Sequence, residues 1–328
     1  GGTTSKASAY DLASATDTPV IFIVNSKGMS VSLAAYIKGF LEYKKDSRIR
    51  GVILNQMSPM LYPRMKTLLE KELGMKVLGY VPKAEDCVIE SRHLGLVLPD
   101  EIPRLQENLK KLAGILEETL DMEGILALAD SAPELETNPP DGERKEYIWK
   151  ACGEDETYKR SLRIGVAKDE AFCFFYEDNF QLLKEMGAEL IFFSPMRDSR
   201  LPKELDGLLL YGGYPELNGA VLEKNSSIRT EIAEKIQEGM PCMAECGGFM
   251  YLHEEMEGMD GAVYRMAGVI PGKAFRTPRL SRFGYVTLSQ KKPVLGCENL
   301  GAVPAHEFHY FDSENCGEDF LAQKPESS

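Results

Sequence analysis

Short apolar runs alternate with amphipathic stretches in both halves of this 328-residue chain, the pattern of parallel strands linked by crossover helices. In the first half, Val20–Val24, Gly51–Leu54 and Lys76–Val81 are strand-length apolar runs. Between the first two, Ser30 can cap a helix running to about Tyr43, with Leu33, Ile37, Phe40 and Leu41 on one stripe. Met60–Leu73 and Glu101–Leu120 carry further helices. In the second half, strands are expected at Arg163–Ala167, Glu189–Phe193, Asp206–Tyr211 and Met240–Ala244. Helices are expected at Glu177–Met186, at Ser226–Glu238 and from Gly247 to about Glu255.

Ser131–Ser161 interrupts the pattern with Pro133, Pro139, Pro140, an Asp141-Gly142 turn and many charges. It reads as a linker, with a surface loop inside one domain as the alternative. The fold expectation is therefore α/β, with mainly parallel sheets in two domains, 1–130 and 162–328, joined by 131–161. A formal net charge of -13 argues against a nucleic-acid-binding surface. The longest apolar runs fall far short of the ~20 residues a membrane span needs. Seven cysteines, at 87, 152, 173, 242, 246, 297 and 316, are odd in number and form no Cys-x-x-Cys pair. They read as reduced thiols in the cytoplasm rather than a disulfide framework, and no metal ligand set is identifiable.

Pro241-Cys242-Met243-Ala244-Glu245-Cys246-Gly247-Gly248 has the form of a strand, a sharp turn and a helix. Such a turn presents a nucleophile at the carboxyl edge of a sheet, where small neighbours permit a strained backbone. The helix N-terminus that follows is expected to lower the thiol pKa and to aim N–H groups at an oxyanion. Cys246 is the candidate nucleophile, while Cys242, within the strand, is expected to be inert. Four histidines are available as base: His93, His253, His306 and His309. His253 is expected on the helix behind the nucleophile, within reach of solvent. His306 and His309 lie far downstream in Ala305-His306-Glu307-Phe308-His309-Tyr310, as suits a Cys–His pair distant in sequence and adjacent in space. Gly212-Gly213-Tyr214-Pro215-Glu216 follows a strand, and its glycines fit either a ligand-facing main chain or an ordinary turn.

Together, Ala244–Leu252, Leu210–Glu216 and His306–Tyr310 resemble the class I glutamine amidotransferase domain of the cobyrinic acid a,c-diamide synthase family. The resemblance extends through Arg163–Asn179 and Phe283–Val286. In the first domain it covers Gly1–Ser8, Pro19–Ser32, Gly51–Gln56 and Ser91–Leu96. It implies that Cys246 attacks the glutamine carboxamide, that His309 is its base, and that Gly213 and Gly247 supply the oxyanion hole. Class I enzymes often place a carboxylate two residues after the histidine. Phe311 stands there, so a Cys–His dyad is implied, with Glu307 as a further candidate helper.

From Gly261 to Cys297 there is no Asp or Glu, yet Arg265, Lys273, Arg276, Arg279, Arg282, Lys291 and Lys292 all fall there. Uncompensated cations suit a polyanionic ligand; a solvated loop pairing with distant acids is the alternative. The resemblance implies a corrinoid polycarboxylate as acceptor and turns attention to Arg276, Arg279 and Arg282. It also implies a first domain like dethiobiotin synthetase, using ATP and Mg2+ to phosphorylate the acceptor carboxylate. No Gly-x-x-x-x-Gly-Lys-Ser/Thr phosphate loop is present; Lys27-Gly28 and Gly272-Lys273 lack the rest of the pattern. In the family that loop precedes the motif found here as Gly1–Thr4. The chain is therefore expected to lack the N-terminal part of a P-loop-like domain, to bind ATP poorly or not at all, and to leave a strand edge exposed. The expected reaction is glutamine-dependent amidation of the a- and c-side-chain carboxylates of cobyrinic acid in cobalamin biosynthesis. The alternatives are a paralogue acting on nickel-sirohydrochlorin or making cobyric acid, and a non-catalytic tetrapyrrole-binding module.

Overall fold

The computed structural model describes residues 5–6, 8–89, 91–92, 95–96, 99, 102–135, 161–280, 282–294 and 298–324. The Gly1–Thr4 motif, His93 and the expected linker from 136 to 160 lie outside these residues. The chain divides into two compact units, 1–139 and 140–328.

In the first unit, α1 (Ala9–Ala15) precedes two β–α units and a third strand: β1 (Val20–Asn25), α2 (Ser32–Glu42), β2 (Ile49–Asn55), α3 (Tyr62–Leu73) and β3 (Lys76–Val81). The strands form a parallel sheet in the order β1-β2-β3. Apolar residues at helical spacing close the core: Leu33 and Ile37 from α2 and Met65 and Leu69 from α3 pack with Val52, Leu54 and Val77. Gly74 takes a left-handed φ of 62° to end α3, a conformation glycine adopts without a Cβ penalty. A short antiparallel pair follows, β4 (Ser91–Arg92) with β5 (Gly95–Leu96), then α4 (Leu105–Thr119) and α5 (Met122–Asp130). Among the described residues β1 pairs on one side only, with β2.

The second unit opens with β6 (Arg163–Ala167), α6 (Glu177–Glu185), β7 (Glu189–Phe193), β8 (Gly207–Leu210), α7 (Gly219–Lys224), α8 (Ser226–Gln237), β9 (Cys242–Ala244) and α9 (Gly247–Tyr251). Its sheet is parallel, in the order β7-β6-β8-β9. The expected helix through Glu255 stops at Tyr251, because His253 and Met256 enter the core on a strand instead. That strand, β10 (His253–Glu257), begins a region whose described residues form no helix: β11 (Val263–Arg265), β12 (Ile270–Arg276), β13 (Arg282–Gln290), β14 (Ala302–His309), β15 (Phe311–Ser313) and β16 (Phe320–Gln323). These form two sheets, β11-β10-β12-β15 and β14-β13-β16. All their pairings are antiparallel except β10 with β12. Both α/β sheets are parallel, as expected, and the antiparallel C-terminal layer is what the sequence reading left unassigned.

Candidate active site

Cys246 occupies the turn between β9 and α9 with φ 50° and ψ -111°. A β-carbon in such a conformation costs on the order of 1–3 kcal/mol, so the surroundings must hold it. They do so through the main chain. Glu245 N–H donates to the Leu210 carbonyl at 3.0 Å, Gly248 N–H to the Glu245 carbonyl at 2.8 Å, and Met250 N–H to the Cys246 carbonyl at 3.1 Å. Gly248 lies against the end of β8 so closely that a Cβ would fall 1.9 Å from the Leu210 carbonyl oxygen. Only glycine allows the helix to start there.

The main-chain N–H groups of Gly247 and Gly213 face the Cys246 sulfur and favour its thiolate. Gly213 is fixed from behind, since a Cβ on it would sit 2.2 Å from the Ala171 carbonyl oxygen. The loop that crowds it is organised by Asp169, a buried carboxylate. One Asp169 oxygen accepts from the N–H groups of Ala171 (2.9 Å) and Phe172 (3.2 Å); the other accepts from the Ser194 hydroxyl (2.7 Å) and Met196 N–H (3.0 Å). Cys173 and Phe174 N–H groups then donate to the Gly212 carbonyl. Asp169 is a site-building residue that the sequence reading missed. In sequence it is one more acid after a strand, and nothing local distinguishes it from a surface turn.

Cys246 is exposed as a residue, but burial around its sulfur pushes the thiol above its ordinary range. The N–H groups of Gly247 and Gly213 pull it down, while Glu216 and Glu245 push it further up. This corrects the expectation that the helix N-terminus would lower the thiol: α9 is five residues long, and its amide contribution is outweighed by burial. Burial alone pushes the Cys242 thiol to about 12.

His309 ends β14, and its Nδ1 lies 2.5 Å from the carbonyl oxygen of Phe311. The Phe311 side chain is buried in the core of the unit. His306, at an odd spacing from His309, falls on the other face of the strand. Glu307 shares His309's face and is engaged by Arg282, whose guanidinium lies 3.5 Å from Glu307 and 3.8 Å from Asp312. Three arginines of the basic stretch, Arg276, Arg279 and Arg282, border this junction. Arg276 is in register with Phe311 and Arg282 with His309, and Arg279 lies in the turn between their strands. The stretch is not wholly uncompensated, since Arg282 pairs as described and Lys292 lies 2.9 Å from Asp319.

His253 is fully buried rather than facing solvent. Its Nδ1 lies 2.8 Å from the Phe249 carbonyl on α9, and its Nε2 lies 2.6 Å from the Ser313 hydroxyl on β15. It thus ties the helix that follows Cys246 to the strand that follows His309. Met250, Tyr251 and Leu252 share one core cluster with Ala274 and Phe311. Among the described residues no three or more His, Cys, Asp or Glu side chains gather as a metal site, and no helix is long and apolar enough to cross a membrane.

Residues 163–322 match the family model of the CobB/CobQ-like glutamine amidotransferase domain, and residues 1–91 match an AAA domain. A cobyrinate a,c-diamide synthase of Caldanaerobacter subterraneus subsp. tengcongensis is 37% identical over 327 residues, covering 98% of this chain and 69% of the relative. The enzyme of the same name from Thermoplasma volcanium is 35% identical over 94% of this chain and 64% of its own length. That from Clostridium acetobutylicum is 36% identical over 94% of this chain and 66% of its own. A solved glutamine amidotransferase structure overlaps 47% of this chain and 75% of its own at 19% identity, with a TM-score of 0.34. The chain spans about two thirds of the length of its curated relatives, and it belongs to the cobyrinate a,c-diamide synthase family.

Proposed function

We propose that this chain hydrolyses glutamine at Cys246 to release ammonia, and that the ammonia amidates the a- and c-side-chain carboxylates of a cobyrinic-acid-type corrinoid. The observation that carries the reading is the convergence of the Gly213 and Gly247 N–H groups on the sulfur of a strained strand-to-helix turn. Donors that meet at the nucleophile are placed to receive the oxygen of the carbonyl it attacks.

The sequence of steps follows from the residue types. The thiol proton of Cys246 passes to Nε2 of His309 as sulfur bonds to the carboxamide carbon, and the carbonyl oxygen takes negative charge before Gly213 and Gly247. The carbon–nitrogen bond then breaks, and the nitrogen leaves as ammonia with the proton from Nε2. A water molecule, deprotonated by the same nitrogen, attacks the thioester, releasing glutamate and restoring the thiol. Arg282 holds Glu307 in an ion pair, so Glu307 is assigned a place beside the histidine rather than a proton-transfer role.

The acceptor reading is supported by the relatives' names, by Arg276 and Arg279 beside the histidine junction, and by the exposed rings of Phe283, Tyr285 and Phe308 on the neighbouring strands. A polycarboxylate macrocycle presents both chemistries such a surface recognises. The AAA-domain match supports nucleotide-dependent activation of the carboxylate, with Mg2+ as the accompanying ion. The residues present do not by themselves fit Mg-ATP. The sequence holds no phosphate loop and the described residues no carboxylate cluster, so none of them is given a role in that step.

The test is glutamate release from glutamine by the purified chain and by Cys246→Ser. Loss of at least ~1,000-fold in kcat is expected on removing the nucleophile. Activity left unchanged in Cys246→Ser would sink the reading. Equilibrium binding of cobyrinic acid to the purified chain, with nickel-sirohydrochlorin as comparison, identifies the acceptor.

A further inference from the structure

We propose that the main-chain carbonyl of Phe311 orients the imidazole of His309, in the role a carboxylate side chain fills elsewhere. We assign the His253–Ser313 hydrogen bond as the latch that keeps this carbonyl in register with the Cys246 helix. The proposal rests on the Cys246–His309 chemistry above, although its first test needs no activity.

A carbonyl oxygen can only accept, so its 2.5 Å contact requires that Nδ1 of His309 carry the proton. Nε2 is then the nitrogen with a lone pair for the thiol proton. The carbonyl is free for this task because of strand register. Opposed residues of an antiparallel pair alternate between hydrogen-bonded and non-hydrogen-bonded positions. Between β12 and β15, Thr277 N–H donates to the Tyr310 carbonyl and Glu314 N–H to the Lys273 carbonyl. Arg276 opposite Phe311 therefore falls at a non-hydrogen-bonded position, where the Phe311 carbonyl turns away from β12. Since β15 is the last strand of its sheet among the described residues, that direction leads off the sheet edge, and His309 meets it there.

The carbonyl is held in this orientation on each side. The Phe311 side chain is anchored in the core, and the Thr277 hydroxyl lies 2.8 Å from the Tyr310 carbonyl oxygen. Ser313 accepts from Asn315 N–H at 2.9 Å and reaches Nε2 of His253 at 2.6 Å, and His253 donates from Nδ1 to Phe249 on the nucleophile's helix. The charged groups around the junction, Arg282, Glu307 and Asp312, are engaged with one another.

The tautomer can be read directly. In the chain labelled with 15N-histidine, long-range 1H–15N correlation at a pH where the ring is neutral should show His309 protonated at Nδ1 and bare at Nε2. The signals are assigned by their loss in His309→Gln, or by elimination with His93→Gln, His253→Gln and His306→Gln if that variant does not fold. A proton on Nε2 overturns the proposal. Ser313→Ala should shift the His309 ring signals and lower kcat for glutamate release by roughly 10-fold with little change in KM, and Ser313→Thr should restore both. Unchanged ring signals and kcat in Ser313→Ala overturn the latch. An Nδ1–H tautomer in a chain without glutaminase activity would leave the orienting role standing and refute the proposed chemistry instead.

Discussion

Gly213→Ala places the sharpest demand on this reasoning. The added Cβ would meet the Ala171 carbonyl oxygen at 2.2 Å, the Ala171 carbonyl carbon at 2.7 Å and the Cys173 nitrogen at 2.9 Å, where real Cβ atoms do not come closer than 3.0 Å. Against the first of these the shortfall is about 0.8 Å. All three obstacles are main-chain atoms of a loop that Asp169 holds through four hydrogen bonds. The loop also donates two N–H groups to Gly212, so Gly213 is the part that must move. Oxyanion donors work within a window of roughly 2.7–3.1 Å, and a displacement of this size takes an N–H out of it. The expected loss is about 100- to 1,000-fold in kcat for glutamine hydrolysis, with a smaller change in KM. Overpacking should lower stability by about 1–3 kcal/mol. The assay is glutamate release followed by a coupled dehydrogenase, with folding checked by circular dichroism and thermal melting. Gly39→Ala is the control: it lies in α2 with open space at its Cβ, and should keep full activity while adding roughly 0.5–1 kcal/mol of stability. A folded Gly213→Ala with kcat close to that of the parent would refute both the tight seating of Gly213 and its role as a donor.

Other consequences follow from the same geometry. Because burial raises the Cys246 thiol, its thiolate fraction at neutral pH lies below that of free cysteine, and iodoacetamide labelling should be slow there and keep rising with pH. Labelling that is already maximal at acidic pH would contradict this, and Cys242, pushed to about 12, should stay unlabelled throughout. Asp169→Asn replaces acceptor oxygen with a donor facing main-chain N–H or hydroxyl groups, so it should cost about 1–3 kcal/mol by chemical denaturation and lower kcat by loosening the wall behind Gly213. Gly248→Ala, whose Cβ would fall 1.9 Å from a carbonyl oxygen, should fail to assemble the turn and abolish glutamate release.

Both parallel sheets and the sharp turn at Cys246 were legible in the sequence because each rests on local rules. Apolar runs of strand length, helical stripes such as Ile228, Ile232 and Ile236, and the Cys246-Gly247-Gly248 step all announce themselves within a few residues. The antiparallel layer after Tyr251 was not legible. Its strands are half-exposed and carry mixed polar and apolar residues, as in Arg282–Gln290 and Ala302–His309, so their identity depends on pairing partners far along the chain. His253 shows the same limit: a helix with the histidine near solvent fitted the local pattern, and its burial became visible only with Ser313 beside it.

By itself, then, the sequence determined two parallel α/β units, a thiol placed on a sharp turn, and a downstream histidine without a carboxylate two residues beyond. Tertiary structure alone decided the rest. Burial, which depends on distant packing, raised the thiol that local rules said would be lowered. Asp169, through the loop it folds, seated Gly213 against the Cys246 sulfur. The alternation of hydrogen-bonded positions between β12 and β15 turned the Phe311 carbonyl toward His309, because register is a relation between two strands that neither sequence segment contains.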